Sequence, residues 1–480
     1  MSDRPDPTPV PDPPAHPAPV DAAAAPTRPT PTAPSQREPV LDLLRGAALL
    51  GITLVNVQLM SGPAVYALFA GRSPSSPGPA GEVVRSLVNW LATGKFVSSF
   101  SILFGLGAAL IAARATTGRD RRLLARRYGL LVAMGLLHMV LLFPGDVLFV
   151  YGISGFVLLA FVRVRARTAL IWAVVLLAAS TVALVGVTLA SRAMPTDAFW
   201  LAEVTRQQAS ALEAYATGSV AGIIAANAWL AFWIQTDQLF ALPWFLGLFL
   251  LGLSATRAGI VGDLAGHRDR LARLARVTVP VGLVLNLPQI LASPETMATG
   301  EASTAVAISG AVAYTAGAPV LAVGYLSMLA VIGLDRGTST GLRRRLVALG
   351  RVALSGYLGQ SVLAMLVFGG LRLYGQLGVF GELAVVAGIW LVLLLVAPWW
   401  TARYRFGPVE WVWRSLTYGR RQPMLRQADA AGTPASATRG SGRAGASLGA
   451  GQAVDVDSRN LLGEAGEGHD DRGEPGRGDR

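Results

Sequence analysis

The sequence predicts an all-α protein, a polytopic transmembrane helical bundle of about ten spans with both termini in the cytoplasm. Three observations predict it. Only 15% of the 480 residues are charged while 52% are hydrophobic, against roughly a quarter charged in an ordinary soluble domain. The apolar residues come in blocks of roughly 20, the helical length that crosses a ~30 Å hydrocarbon core. The breaks between blocks are short, and the arginines crowd into alternate ones, as the bias of cytoplasmic loops requires.

Taken in order, residues 1–37 are dominated by Pro, Ala, Thr and Asp without an apolar stretch. They are expected to form a disordered cytoplasmic tail and not a cleaved signal peptide. A transmembrane domain over 38–421 follows, with spans near 40–60, 95–113, 124–143, 147–163, 167–190, 238–254, 276–293, 304–332, 347–369 and 379–400. Arginine clusters follow every second span: Arg114 to Arg127, Arg163 to Arg167, Arg257 to Arg276, Arg336 to Arg345, and Arg403 to Arg421. The opposite set of connections holds only Arg72, Arg85, Lys95, Arg192, Arg206 and Arg372, with no charged side chain but Asp146 and none basic at 144–146. The first set is therefore expected in the cytoplasm. An eleventh span at 219–235 would break this alternation, and Asn227, Trp229 and Trp233 suit an interfacial or re-entrant helix on the outer side. Residues 406–420 read as an amphipathic helix on the cytoplasmic surface, and 422–480, rich in Gly, Ala, Ser, Arg and Asp, as a second disordered cytoplasmic tail.

The absence of cysteine excludes disulfides, thiolate metal ligands and a cysteine nucleophile. The net charge of +12 lies in short loops between apolar blocks without interleaved aromatics. It reads as topology and contact with anionic lipid, not as a nucleic-acid surface. There is no phosphate-binding loop, no histidine pair spaced for zinc, no serine-hydrolase elbow and no strict internal repeat. No metal and no bound cofactor are expected. The bilayer is the one firm partner, and the sequence leaves the oligomeric state open.

Polar groups inside spans carry the functional information, because a charge at mid-membrane costs ~2.5–3.5 kcal/mol on insertion scales and faces a cavity or a partner. Asp42 and Arg45 share a helix face at i, i+3 near the cytoplasmic end of the first span. Asn56 lies eleven residues further, about 16 Å along the helix and in the outer half of the membrane. Lys95, His138, Asp146 and Tyr151 fall at similar depth, and Asn286 and Gln289 in the seventh span extend the same outer vestibule. His138 and Asp146 flank a chain-reversing turn containing Phe143, Pro144 and Gly145, so the two side chains are expected to approach each other. Ser355, Tyr357, Gln360 and Ser361 add polar groups to the ninth span. Each feature has a structural reading beside the functional one: an interface ion pair for Asp42 and Arg45, an interhelical hydrogen bond for Asn56 or His138, and snorkelling to the outer headgroups for Lys95.

Four segments together resemble the YeiB-like family of bacterial inner-membrane proteins, whose C-terminal half is a domain of unknown function. They are LDLLRGAALLGITLVNV (41–57), KFVSSFSILFGLGAAL (95–110), GLLHMVLLFPGDVLFVYGISG (135–155) and FGPVEWVWRSLTYGR (406–420). The first is also distantly similar to the first span of membrane acetyltransferases of the heparan-glucosaminide N-acetyltransferase type, where Asn56 matches an active-site asparagine. The histidine that follows that asparagine in those enzymes has no counterpart in LFAGR (68–72).

The resemblance implies a multi-pass protein of the bacterial cytoplasmic membrane that moves an acyl group from a cytoplasmic donor to an acceptor at the outer face. Acyl-CoA would be the co-substrate, and a small molecule, glycan or lipid the acceptor. His138, Asp146 and Asn56 would be catalytic, with His138 replacing the missing histidine as general base or transient acyl carrier. Lys95, Tyr151, Asn286, Gln289 and Gln360 would bind substrate. Asp42, Arg45, Glu410 and Arg414 would hold the donor or an inner gate. A transporter or exporter of a small polar or amphiphilic solute, its pathway lined by the same groups, is the competing class.

Overall fold

The computed structural model describes residues 39–70, 78–112, 118–194, 197–292, 303–335 and 341–425. The expected tail at 1–37 lies outside these residues, as do Arg72, Arg114, Arg336 and all of the expected C-terminal tail beyond Leu425. The described residues fall in one compact unit that ends at Arg426. Apart from one isolated bridge between Tyr404 and Leu425, the regular structure among them is helical.

The chain begins with α1 (Pro39–Met60) and the short α2 (Ala64–Phe69). Next come α3 (Gly78–Leu91), α4 (Lys95–Ala112), α5 (Gly118–Leu141), α6 (Leu148–Leu158) and α7 (Ala166–Ala193). The middle of the chain forms α8 (Ala198–Thr217), α9 (Val220–Phe240), α10 (Leu242–Arg257), α11 (Arg268–Leu285) and α12 (Pro288–Leu291). The last part forms α13 (Thr304–Val312), α14 (Ala318–Leu334), α15 (Gly341–Arg351), α16 (Ala353–Met365), α17 (Val379–Arg403) and α18 (Pro408–Tyr418). Single π-turns at Ala313–Gly317 and Leu366–Gly370 interrupt the runs around α13–α14 and after α16.

Eight helical runs are long and apolar enough to cross a membrane, or nine if α9 and α10 are counted as one crossing bent by 59°. The expected count of about ten differs at one place: the span near 147–163 is the eleven-residue α6, too short for a full crossing by itself. Two boundaries also move. The second span starts upstream, because α3 and α4 join end to end in the run Gly78–Ala112, which puts Lys95 inside it. Residues 219–235 belong to the 21-residue α9, whose bend onto α10 falls where Pro243 supplies no amide hydrogen to continue the ladder.

The spans pack closely where glycine removes the side chain. A Cβ on Gly105 would overlap the backbone of Phe249, and one on Gly252 the backbone of Ile102, so α4 and α10 meet backbone to backbone. One main core joins α1, α4, α5, α6, α10, α16 and α17 around Leu49, Tyr151, Phe249 and Tyr357. A smaller core, with Tyr66, Val204, Ala211, Ala226 and Leu230 at its centre, unites α2, α8 and α9 into a cap at the arginine-poor end. The sequence reading has no element at α8. Its ends are nonetheless well marked: Asp197 accepts from the amides of Phe199 and Trp200, Gly218 takes φ 72° beyond the last turn, and Ser219 caps α9. Trp200 bonds to the Phe69 carbonyl and stacks on Trp229, which stacks in turn on Tyr66.

At the opposite, arginine-rich end α18 lies against α5. The Arg127 guanidinium sits 3.6 Å over the Trp413 ring, and the Trp413 indole donates to the Arg127 carbonyl.

Candidate functional site

Helix α5 ends at Leu141 because Pro144 cannot donate and Gly145 follows it; the chain turns and re-enters as α6. The turn brings His138, in the last turn of α5, against Asp146. Its Nδ1 lies 2.7 Å from Asp146 Oδ1. The second carboxylate oxygen accepts the Phe149 amide at 2.8 Å, in the manner of a helix cap, so Asp146 orients the imidazole and starts α6 at once. Gly135 makes the approach feasible: a methyl there would come within 2.7 Å of Asp146 Oδ2.

Two distant helices secure the pair. The Gln235 amide of α9 donates to the Pro144 and Asp146 carbonyls, at 3.2 and 2.9 Å. The Tyr357 hydroxyl of α16 accepts from Val147 N at 3.3 Å and lies 3.4 Å from Asp146 Oδ1, with its ring 5.2 Å from the imidazole. His138 is 2% exposed and Asp146 fully buried. The other nitrogen of the imidazole, Nε2, has no hydrogen-bond partner among the described residues. With Nδ1 turned to a carboxylate, Nε2 is the atom left to take or give a proton.

The other residues singled out in the sequence divide into separate groups. Lys95 is fully buried and does not snorkel; its ammonium donates to the Asn89 carbonyl at 2.9 Å and to Gln289 Oε1 at 2.6 Å. Gln289 donates to Asn286, which donates to the Gly282 carbonyl. Lys95, Gln289 and Asn286 thus form one network between α4, α11 and α12; among the described residues it has no hydrogen bond to the histidine–aspartate pair, and no carboxylate lies within ion-pair distance of Lys95. Tyr151 lies in the aromatic core among Phe100, Phe104, Phe245 and Phe249, with its hydroxyl 2.7 Å from Ser101 Oγ.

Asn56 is half-buried and takes no part in the bonds around His138; Thr53, one turn earlier, bonds instead to Gln360 Oε1. The polar residues of the ninth span have three different roles by contact. Tyr357 touches Asp146, Gln360 meets Thr53, and Ser355 binds Glu410 at the arginine-rich end.

At that end Asp42 accepts from Arg45 at 3.0 Å and lies 3.6 Å from Arg351. Glu410 takes the amides of Leu354 and Ser355, at 2.7 and 3.1 Å, which are orphan donors of the first turn of α16. It is a helix cap supplied by a distant helix. Burial pushes its carboxyl above the usual range, and the bonds from Ser355 and the backbone amides only partly offset this. Arg414 lies 4.8 Å from the Phe406 ring.

Beside the 142–147 turn a small open pocket lies between the bundle and the cap. Leu142 and Pro144 form one wall and Tyr66, Tyr215, Asn227 and Tyr374 the other. Tyr215 and Tyr374 stack at 3.9 Å, and burial raises the Tyr215 phenol to about 12, so it remains a hydrogen-bond donor. Sequence reasoning missed Gln235, Thr53 and these tyrosines as site residues. A glutamine closing the otherwise apolar run 219–235 was the only local signal for the first.

The fold and this site define a multi-pass α-helical membrane protein built around a buried imidazole–carboxylate pair under a helical cap. Residues 255–420 match the family described as protein of unknown function (DUF418). Similarity extends well beyond it. The chain is 28% identical to the uncharacterized protein YxaH of Bacillus subtilis (strain 168), over 83% of this chain and 98% of that one. It is also 28% identical to the uncharacterized protein YeiB of Escherichia coli (strain K12), over 81% and 98%. An uncharacterized 39.9 kDa protein encoded in the amylase 3' region of Bacillus acidopullulyticus is 26% identical, over 83% and 99%. No solved structure matches.

Proposed function

We propose that the chain is a membrane-embedded acyl-group transferase with His138 as its general base. One observation carries this reading: the imidazole is held at Nδ1 by Asp146, 2.7 Å away, while its buried Nε2 has no partner among the described residues. A structural histidine between helices satisfies both nitrogens, since a buried unpaired polar atom costs about 1–3 kcal/mol. A base must keep one free. Asp146 fixes the tautomer that carries the proton on Nδ1 and stabilises the imidazolium that forms in the reaction.

In the proposed step, His138 Nε2 takes the proton of an acceptor hydroxyl as its oxygen attacks the carbonyl of an acyl thioester. A new ester bond forms, the C–S bond breaks, and the imidazolium returns its proton to the departing thiolate. Every atom is balanced without a further reactant. Acyl-CoA is the donor class, with Asp42, Arg45, Glu410 and Arg414 at its end of the protein. The donor is placed in the cytoplasm because the arginine-rich loops belong there by the positive-inside rule. Counting α6 and the bent α9–α10 pair as one crossing each brings the eight full runs to ten, which returns both termini to that side. The bacterial relatives favour the cytoplasmic membrane as the location.

The transporter reading draws on the polar residues of the ninth span, but each of them has its own partner at a different level. Thermal unfolding of the purified protein in the presence of acetyl-CoA and longer acyl-CoAs tests the proposal. A saturable rise of the midpoint, kept in His138→Ala, is expected, because the base does not bind the donor. No rise with any donor in folded wild-type protein contradicts it.

A further inference from the structure

The pocket beside the turn has a composition that the transferase reading does not require. No charged side chain is among the described residues that line it. Its polar groups are phenols and one amide: Asn227 is 2% exposed, yet its Nδ2 has no partner among the described residues. These are the groups that meet an uncharged, hydroxyl-bearing ligand, because each is polar, desolvated and neutral. An orphaned buried amide is the second sign that something completes the site.

The rim points the same way. Leu59 lines the pocket and is 41% exposed; Leu141, beside the lining residue Leu142, is 48% exposed, and Leu366, beside the lining Met365, is 58% exposed. All three lie at or near the ends of runs long and apolar enough to cross a membrane, where an exposed leucine suits lipid better than water. A water-soluble acceptor would need a wet rim at this mouth.

We propose that the pocket takes an uncharged amphiphilic alcohol that enters sideways from the bilayer, its head against Asn227 and the tyrosines and its tail past Leu59, Leu141 and Leu366. The proposal rests on the acyl-transfer reading and names the acceptor class for it. The bilayer supplies such a molecule at high local concentration, and its head is delivered next to the turn that carries His138.

Photolabelling of the full-length protein in phosphatidylcholine nanodiscs tests it. The probe is a 1-O-alkylglycerol with a diazirine in its tail, compared with a probe of the same tail and a phosphate head. The expected result is labelling of peptides containing Leu59, Leu141 or Leu366, at least five-fold stronger for the glycerol head and reduced at least five-fold in Asn227→Leu. The head preference is read in wild type, so it stands even where a variant fails to fold. Equal labelling by both heads, or competition by free glycerol as effective as by the unlabelled alkylglycerol, overturns the proposal. The two readings separate cleanly. Selective labelling without acyl transfer keeps this site and removes the transferase. Transfer to water-soluble alcohols without labelling does the reverse, and neither result in wild type removes both.

Discussion

The proposed chemistry turns on a few buried polar atoms whose partners differ in kind. His138 keeps one nitrogen free, whereas the Lys95 ammonium spends its bonds on the Asn89 carbonyl and Gln289 Oε1. Lys95 therefore has a structural task, and Lys95→Met is predicted to leave two buried acceptors unpaired. The cost is about 1–3 kcal/mol, read as a lowered thermal midpoint; an unchanged midpoint contradicts that role. His138 and Asp146 were legible in the sequence because they flank Pro144 and Gly145 and are separated by only eight residues. The supports were not. Gln235 reaches the turn from 89 residues away, Tyr357 reaches Asp146 from 211, and Thr53 meets Gln360 across 307. Nothing in local spacing encodes such pairings. The single outer vestibule expected from equal depth is two networks for the same reason: depth fixes the level of a side chain in the membrane but not the helix it faces.

At the level of elements, the turn between α5 and α6 depends on close approach at Gly135. Gly135→Ala puts a methyl against Phe149 N and Asp146 Oδ2, so it is predicted to cost about 1–3 kcal/mol and to impair activity as severely as loss of Asp146. Near-normal activity in a folded Gly135→Ala variant contradicts the geometry. The cap on α16 makes a prediction with a pH signature. Glu410→Ala strands the Leu354 and Ser355 amides and should destabilise by about 1–3 kcal/mol.

Because burial raises the Glu410 carboxyl in the folded state, the native protein binds its proton more tightly than the unfolded chain. The sign follows: stability contributed by the protonated form is full below the ordinary glutamate range and falls as pH rises through the raised folded value. Unfolding followed across that window, with Glu410→Gln as the non-titrating reference, checks it. Long apolar helices were readable from hydropathy alone, whereas α8 was not, since Glu203, Arg206 and Gln207 make it too polar for a span and its caps declare only a helix. The bend before α10 had its signal in Pro243, but proline alone does not tell a bent span from a helix end.

For the whole molecule, ten crossings with the arginine-rich loops inside is a statement about topology. The chain has no cysteine, so single cysteines report without background. A cysteine at the exposed Asp197 is predicted to react with an impermeant maleimide on intact cells, and one at the exposed Arg344 only after lysis. Labelling in the reverse pattern contradicts the orientation and would turn the arginine-rich end, with Asp42, Arg45, Glu410 and Arg414, away from a cytoplasmic donor. Charge alternation in the sequence is the ground for this expected orientation. The cap over the arginine-poor end was hidden, because its core of Tyr66, Val204, Ala211, Ala226 and Leu230 is assembled from three short stretches that no single window contains. That cap covers the turn, and the proposed base with its one free nitrogen gains from such cover, which limits the access of water.

The central claim is that this enclosed imidazole moves protons for acyl transfer. Its most direct test is transfer of a radiolabelled acyl group from acyl-CoA to lipid-extractable acceptors by the protein in proteoliposomes, comparing wild type with His138→Gln. The account predicts transfer by wild type and a fall in kcat of about 10²–10⁴-fold in the variant, with donor binding retained; undiminished transfer in His138→Gln would contradict it.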